Sequence, residues 1–324
     1  MVENAIASLE DDVNLNAGYG SNLTLNGMVE CDAAIMEGIS SDFGSVGAVS
    51  GIKNPIRLAR SLLEYSRIPD TLGRIPPLLL VSEGALSFAA LHAPHVQTVP
   101  PERLISWRAE AEWKKWKDQI EYSHPTDSPG GGSGPGEMQD TVGAVSWHPE
   151  KGMAAGVSSG GILLKYPGRV GEAAVFGAGC WVHQSTEAGM GIACSVSGVG
   201  EYITRAALAR TIGENFASHM SEGIDFSPHD ILHKVIMDNF WQPSVRRGIL
   251  QLDVGVLLLA SELDKDGNVK ARLWCAFTTP SMAIAYASSK NPKPKAVILR
   301  RPTGIPVPIR NNNSSQIFIT AISL

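Results

Sequence analysis

The chain has 324 residues, of which 44% are apolar and only 18% charged, with 33 glycines and 20 prolines. That apolar share excludes a disordered chain, and the glycines lack the every-third-residue period of collagen. A net charge of −5 argues against a dedicated nucleic-acid binder, and the longest aliphatic run, 254–260, is far short of the roughly 20 residues a membrane helix needs.

In chain order, the acidic start MVENAIASLEDD lacks the features of a signal peptide and reads as a helix over 2–9, ended by Asp11 and Asp12. NAGYGSN (16–22) is a glycine turn, followed by short strand-like pieces up to Ile35. Residues 55–65 read as a helix, with proline in the first turn and apolar residues at helical spacing, and 84–92 as another. The most charged stretch, 102–122, is built of helix formers. Trp107, Trp113, Trp116 and Ile120 give it an amphipathic face to pack on the body, while the cluster Lys114, Lys115 and Lys117 leaves a partner helix or nuclear address open. Residues 123–139, rich in glycine, serine and proline, read as a flexible linker.

The character then changes. Residues 141–147 alternate and are β-branched, 153–158 form a second strand, and 148–152 make the turn between them. Helices follow over 201–220 and 228–240, and strands over 249–259, 269–277 and 296–300. Strands, two helices, then strands predict an α+β sandwich of sheets layered with helices, not a doubly wound fold. Cys31, Cys180, Cys194 and Cys275 have no metal-like spacing and read as free thiols of a cytoplasmic or nuclear protein.

A flexible linker running straight into a core strand is unusual, and the junction is Asp140–Thr141. A cut there would leave Thr141 with a free α-amine beside its own hydroxyl. Such an amine has a reference pKa of about 7.7–8.0 and takes the hydroxyl proton near neutral pH, so one residue supplies nucleophile and base. Before the cut, the same hydroxyl can attack the Asp140 carbonyl and give an ester that water resolves.

Three clusters support this chemistry. VSSGG (157–161) ends the second strand and offers the hydroxyls of Ser158 and Ser159 beside a glycine pair, and a hairpin there returns Ser159 close to Thr141. PGRVGE (167–172) sets Arg169 among glycines, where its guanidinium can meet a carboxylate in bidentate fashion. VSGVGE (196–201) places Ser197 and Gly198 before the long helix, suited to holding an oxyanion. Two competing motifs are weaker. Residues 156–160 match G-x-S-x-G, but no helix-forming segment follows as a nucleophile elbow requires. His229 and His233 have i,i+4 metal spacing without a third ligand cluster, and no phosphate-binding loop is present, so neither metal nor other cofactor is expected.

DTVGAV, VSSGG, KYPGRVGEAA and VSGVGE, with NAGYGSNLTLNG, ECDAAIMEG, FGSVGAVSGIKNP, GRIPPLLLVSEGA, GAGCW and TTPSMAIAY, resemble the type 2 asparaginase family of N-terminal nucleophile hydrolases, most of all its threonine aspartase (taspase) branch. The resemblance implies a single domain with a four-layer αββα sandwich. It also implies autocleavage into 1–140 and 141–324, and an (αβ)2 assembly. By resemblance Thr141 is the nucleophile, Ser159 and Asn16 support it, Ser197 and Gly198 form the oxyanion hole, and Arg169, Glu172 and Gly200 lie at the substrate. Asparaginase-type members carry Asp where Glu172 stands. The longer side chain suits an aspartyl residue within a polypeptide better than a free amino acid.

The reading is therefore a threonine endopeptidase that cuts protein substrates after Asp, its own chain first, without nucleic-acid or membrane partners. The alternatives are an L-asparaginase or β-aspartyl peptidase acting on small substrates, or an inactive truncated scaffold. The family pattern begins with a strand and glycine loop ahead of the first helix. This sequence starts inside that helix, so the fold is expected to lack its first strand and to leave a neighbouring strand edge open.

Overall fold

Alternation along each strand sends successive side chains to opposite faces, and here both faces are apolar, as two covered sheets require. The computed structural model describes residues 1–122, 141–185, 190–222, 227–249, 252–263, 269–302 and 317–324. The expected linker 123–139 and Asp140 lie outside these described residues. The first part holds α1 (Val2–Glu10), β1 (Cys31–Glu37), β2 (Phe43–Val49), α2 (Pro55–Tyr65), β3 (Leu79–Val81), α3 (Ser82–His92) and α4 (Trp107–Tyr122). Next come β4 (Val142–His148), β5 (Gly152–Ser159), β6 (Cys180–Gln184), β7 (Gly191–Gly198), α5 (Gly200–Ala206), α6 (Leu208–Glu222) and α7 (Pro228–Val235). The remainder is α8 (Gln242–Arg246), β8 (Val254–Leu263), β9 (Val269–Phe277), β10 (Ser281–Tyr286), β11 (Lys295–Arg300) and β12 (Phe318–Ser323).

One five-stranded sheet runs β3-β2-β1-β5-β4 and a second runs β12-β9-β8-β7-β6, with β10–β11 as a separate hairpin. Helices α1, α2 and α3 cover the first sheet, α6 and α7 cover the second, and the bare faces meet, which gives four αββα layers. β1 shows the logic. Its Cys31, Ala33 and Ile35 join the helix-side core with Ile56 and Leu62, while Ala34 and Met36 point to Val182 and Ala193 of the other sheet. β7 mirrors it, sending Ile192, Cys194 and Val196 toward Leu208, Ile212 and Phe216 of α6. Each such buried aliphatic side chain contributes about 1.5–3 kcal/mol. All four cysteines are free and buried within these cores. β4 is an edge strand of its sheet. Among the described residues no helix is long and apolar enough to cross a membrane.

Several elements differ from expectation. The helix expected over 201–220 is two, α5 and α6, because Ala207 adopts a left-handed conformation at φ 42°. The helix expected over 228–240 stays α-helical only to Val235. A π turn over Ile236–Trp241 follows, ahead of Pro243, which lacks the amide hydrogen a continuous α-helix needs. The strand expected from 249 begins at Val254.

β2 escaped the sequence reading because glycine depresses strand propensity. Its glycines are places of close approach: a Cβ on Gly44 would lie 2.4 Å from the Ala59 carbonyl of α2. β6, β7, β10 and β12 were likewise unforeseen. The aromatic face of α4 is also different. Trp113 packs on Gly27 and donates its indole N–H to the Thr24 carbonyl at 2.7 Å, whereas Trp107 and Ile120 are exposed.

At the end of α1, Glu10 is fully buried. Its Oε1 accepts the Ser158 hydroxyl at 2.6 Å and the Ile56 N–H at 3.0 Å, tying α1, β5 and the first turn of α2 together. Burial pushes this carboxyl up from 4.5 to about 8. A raised folded pKa means that the stabilisation is complete below about 4.5 and is lost as pH rises through about 8. Wild type should therefore lose more urea resistance between pH 5 and pH 8.5 than Glu10→Gln does. Parallel losses in the two proteins would contradict the assignment.

Candidate active site

Thr141 stands one residue ahead of β4, and the hairpin register pairs Val142 with Ser158. The next residue of β5, Ser159, therefore comes back beside Thr141, with 3.1 Å between the two hydroxyl oxygens. Glu172 Oε1 lies 3.0 Å from the same Thr141 Oγ1. With one proton, that hydroxyl donates to only one of them at a time. The Thr141 N–H donates to Ser197 Oγ at 3.3 Å, at the end of β7. Three segments distant in sequence thus converge on one threonine.

Glu172 reaches this place because its loop is nailed to the first sheet. Asp32 of β1 accepts the Gly171 N–H on Oδ2 and the Ala48 N–H on Oδ1, both at 2.8 Å. The second bond holds Ala48 at φ 46°, a backbone conformation that L-residues rarely adopt. Asp32 is fully buried, and its burial raises its carboxyl, with Lys165 opposing. Lys165 is itself buried and donates to the Glu30 carbonyl at 2.6 Å. Burial also pushes Glu172 up from 4.5 to about 7; the Arg169 guanidinium opposes this and the Asp32 charge adds to it.

Arg169 contacts Glu201 of α5 through Nε at 2.9 Å and Nη2 at 2.7 Å. Its Nη1 is buried and has no hydrogen-bond partner among the described residues. Three glycines make the room. A Cβ on Gly171 would lie 2.6 Å from Nη1, and one on Gly161 2.9 Å from it. One on Gly200 would lie 2.3 Å from Glu172 Oε2. Gly198, at φ 140°, packs against the Asp253 carbonyl with no space for a side chain. Thr141, Ser159, Gly161, Arg169, Glu172, Gly198, Gly200 and Asn16 line one depression.

The sequence-derived residues fall into two groups. Thr141, Ser159, Ser197 and Glu172 touch one another directly through Thr141. Asn16 acts at one remove: it donates to the Gly161 carbonyl at 2.8 Å and takes the Gly160 N–H on its own carbonyl at 2.8 Å, shaping the turn after Ser159. Ser158 faces away, bound to Glu10, so residues 156–160 are not a nucleophile elbow. His229 and His233 stack with centroids 6.4 Å apart, and among the described residues no group of three His, Cys, Asp or Glu could hold a metal. Asp32 was missed; the available signal was a lone carboxylate inside the apolar strand CDAAIM. Asp140 lies outside the described residues.

The arrangement offers a hydroxyl flanked by a second hydroxyl and a carboxyl, next to a guanidinium nitrogen free for an anion. The family model described as Asparaginase matches residues 1–292. The chain is similar to proteins named plant-type L-asparaginase from Pyrococcus horikoshii (39% identical over 221 residues, 65% of this chain and 63% of the relative) and Thermococcus kodakarensis (36% over 221 residues, 66% and 64%). It is also similar to the Homo sapiens protein named isoaspartyl peptidase/L-asparaginase (37% over 209 residues, 64% and 60%). The chain thus spans less than two thirds of the length of these relatives.

Asp32→Ala would strand two buried backbone N–H groups and free the loop carrying Arg169 and Glu172. Its unfolding free energy, measured by urea titration, should fall by about 2–5 kcal/mol; an unchanged midpoint would show that the loop is held by other contacts.

Proposed function

The chain belongs to the type 2 asparaginase family, and from that premise we propose that it is an N-terminal threonine hydrolase of aspartyl or asparaginyl amide bonds, made competent when its own Asp140–Thr141 bond is cut. The observation that carries this reading is the convergence of Ser159, Glu172 and Ser197 on Thr141, next to the unpartnered Nη1 of Arg169. In the proposed cycle the free Thr141 amine takes the hydroxyl proton, and Oγ1 attacks the substrate carbonyl. The Ser197 hydroxyl and the Gly198 N–H receive the developing oxyanion. Ser159 orients the attacking hydroxyl. The Arg169 guanidinium takes the substrate carboxylate, and Gly161, Gly171 and Gly200 leave the space for it. The tetrahedral centre then breaks its C–N bond, and the amine leaves with the proton that the Thr141 amine carried. Water hydrolyses the remaining ester, releases the carboxylate and restores the Thr141 hydroxyl. Thr141 supplies nucleophile and base together, so the cycle calls for no cofactor. The pieces would be 1–140 and 141–324, assembled as (αβ)2.

Two substrate classes fit. The names of the relatives support asparagine and isoaspartyl peptides. One observation favours a second reading, a threonine aspartase that cuts polypeptides after Asp. A free amino acid needs a counter-charge for its ammonium, and Glu172 is poorly placed to provide one. It is buried, half-ionised near neutrality, and already engaged by Thr141.

Intact-mass analysis of incubated wild type should resolve two pieces cut at Asp140–Thr141, and Thr141→Ala should stay single. Folded wild type that remains whole would replace this reading with an inactive scaffold. On the cleaved protein, Arg169→Ala should lower kcat/KM by about 10- to 100-fold through loss of a charged hydrogen bond. Ranking kcat/KM for free asparagine, a β-aspartyl dipeptide and a peptide with internal Asp decides between the two classes.

A further inference from the structure

We propose that Glu172 is the general base for self-cleavage of the uncut chain, the one step in which Thr141 has no free amine to serve itself. This rests on the reading of Thr141 as a self-cleaving nucleophile and adds to it the group that accepts the proton.

Before the cut the Thr141 nitrogen is an amide. Its lone pair is delocalised into the carbonyl, and it donates to Ser197 Oγ. It therefore accepts nothing. Among the described residues, two groups hydrogen-bond with the Thr141 hydroxyl. Ser159 is a neutral hydroxyl whose oxygen already takes the Gly161 N–H at 3.0 Å. Glu172 Oε1, at 3.0 Å, belongs to a group that ionises near neutrality. The fit depends on side-chain length, since one methylene fewer at this position withdraws the carboxylate by ~1.5 Å. It also depends on Gly200, where any Cβ would occupy the place of Oε2.

In the first step Glu172 removes the hydroxyl proton as Thr141 Oγ1 bonds to the Asp140 carbonyl carbon. The tetrahedral centre then expels the Thr141 nitrogen, which leaves with the proton that Glu172 carried. A C–O ester bond has formed and the C–N bond has broken. Water hydrolyses the ester, releases the Asp140 carboxylate and restores the Thr141 hydroxyl. From then on the α-amine is the base.

The charged groups around Glu172 set its titration. Arg169 lowers it from the same loop and Asp32 raises it from β1. Glu201 of α5 engages Arg169, and Lys165 lies near Asp32. Burial outweighs these and leaves the midpoint at about 7. The ionised fraction, and with it the cleavage rate, should rise about 30-fold from pH 5.5 to pH 8, as a single group with a midpoint of about 7 requires.

The test follows the full chain made by cell-free translation, with intact mass read over time from pH 5.5 to pH 8.5. Wild type should show the midpoint near 7. Glu172→Gln, which keeps shape and hydrogen bonding, should cut about 100-fold more slowly or worse and lose that midpoint. Glu172→Ala should be slow and accelerated by added formate, which restores a carboxylate in the vacated space; a purely structural role would not respond. Circular dichroism checks that each chain is folded. If Glu172→Gln cuts at the wild-type rate with the wild-type profile, or if formate leaves folded Glu172→Ala unchanged, the base assignment falls and the nucleophile reading survives. If folded wild type stays whole at every pH, both fall.

Discussion

The carboxylate of Asp32 is the contact on which the site's geometry turns. It is buried in β1 and spends its two oxygens on two backbone N–H groups, one from Ala48 at the end of β2 and one from Gly171 in the loop after β5. Two backbone donors on one carboxylate fix a loop far more tightly than a surface contact does, because in a dry interior each broken bond leaves an unpaired polar group. Arg169 and Glu172 flank Gly171, so their positions are inherited from this anchor. The anchor in turn depends on the first sheet, which brings β1 and β2 side by side with register Cys31 to Val49.

The second constraint is strand period. Ser158 and Ser159 are neighbours on β5 and point to opposite faces. Ser159 enters the site and meets Thr141, while Ser158 enters the helix-side core and meets Glu10. One dipeptide therefore couples Thr141 to the anchoring of α1. Glycines complete the arrangement by permitting contact, as at Gly143, where a Cβ would lie 2.0 Å from Ser195 Oγ of the opposite sheet. The two sheets can approach at the threonine only because that position carries no side chain.

Electrostatically the site sets two buried acids, Asp32 and Glu172, and the half-exposed Glu201 around Arg169, with buried Lys165 nearby, yet among the described residues Nη1 of Arg169 stays unpartnered. An unpaired guanidinium nitrogen in a buried place is costly unless a ligand completes it. In the proposed function that ligand is the substrate carboxylate. Glu172 serves in this scheme before the cut, when Thr141 has no free amine, and the Thr141 amine serves after it.

Much of this was legible in the sequence. A linker meeting a β-branched strand singled out Thr141, the alternation on either side of residues 148–152 predicted the hairpin, and glycine-flanked Arg169 and Ser197 marked the surrounding loops. Those features are local, and local chemistry and periodicity determine them. What remained hidden depended on distance in sequence: the glycine-rich strand β2, the break at Ala207, the anchoring by Asp32, and the contact between Glu172 and the Thr141 hydroxyl. Spacing along the chain gives Glu172 no reason to touch Thr141, 31 residues earlier. Only the stacking of two sheets, with a loop pinned across their end, decides which oxygen lies 3.0 Å from that hydroxyl, because packing rather than sequence order determines which groups share a buried space.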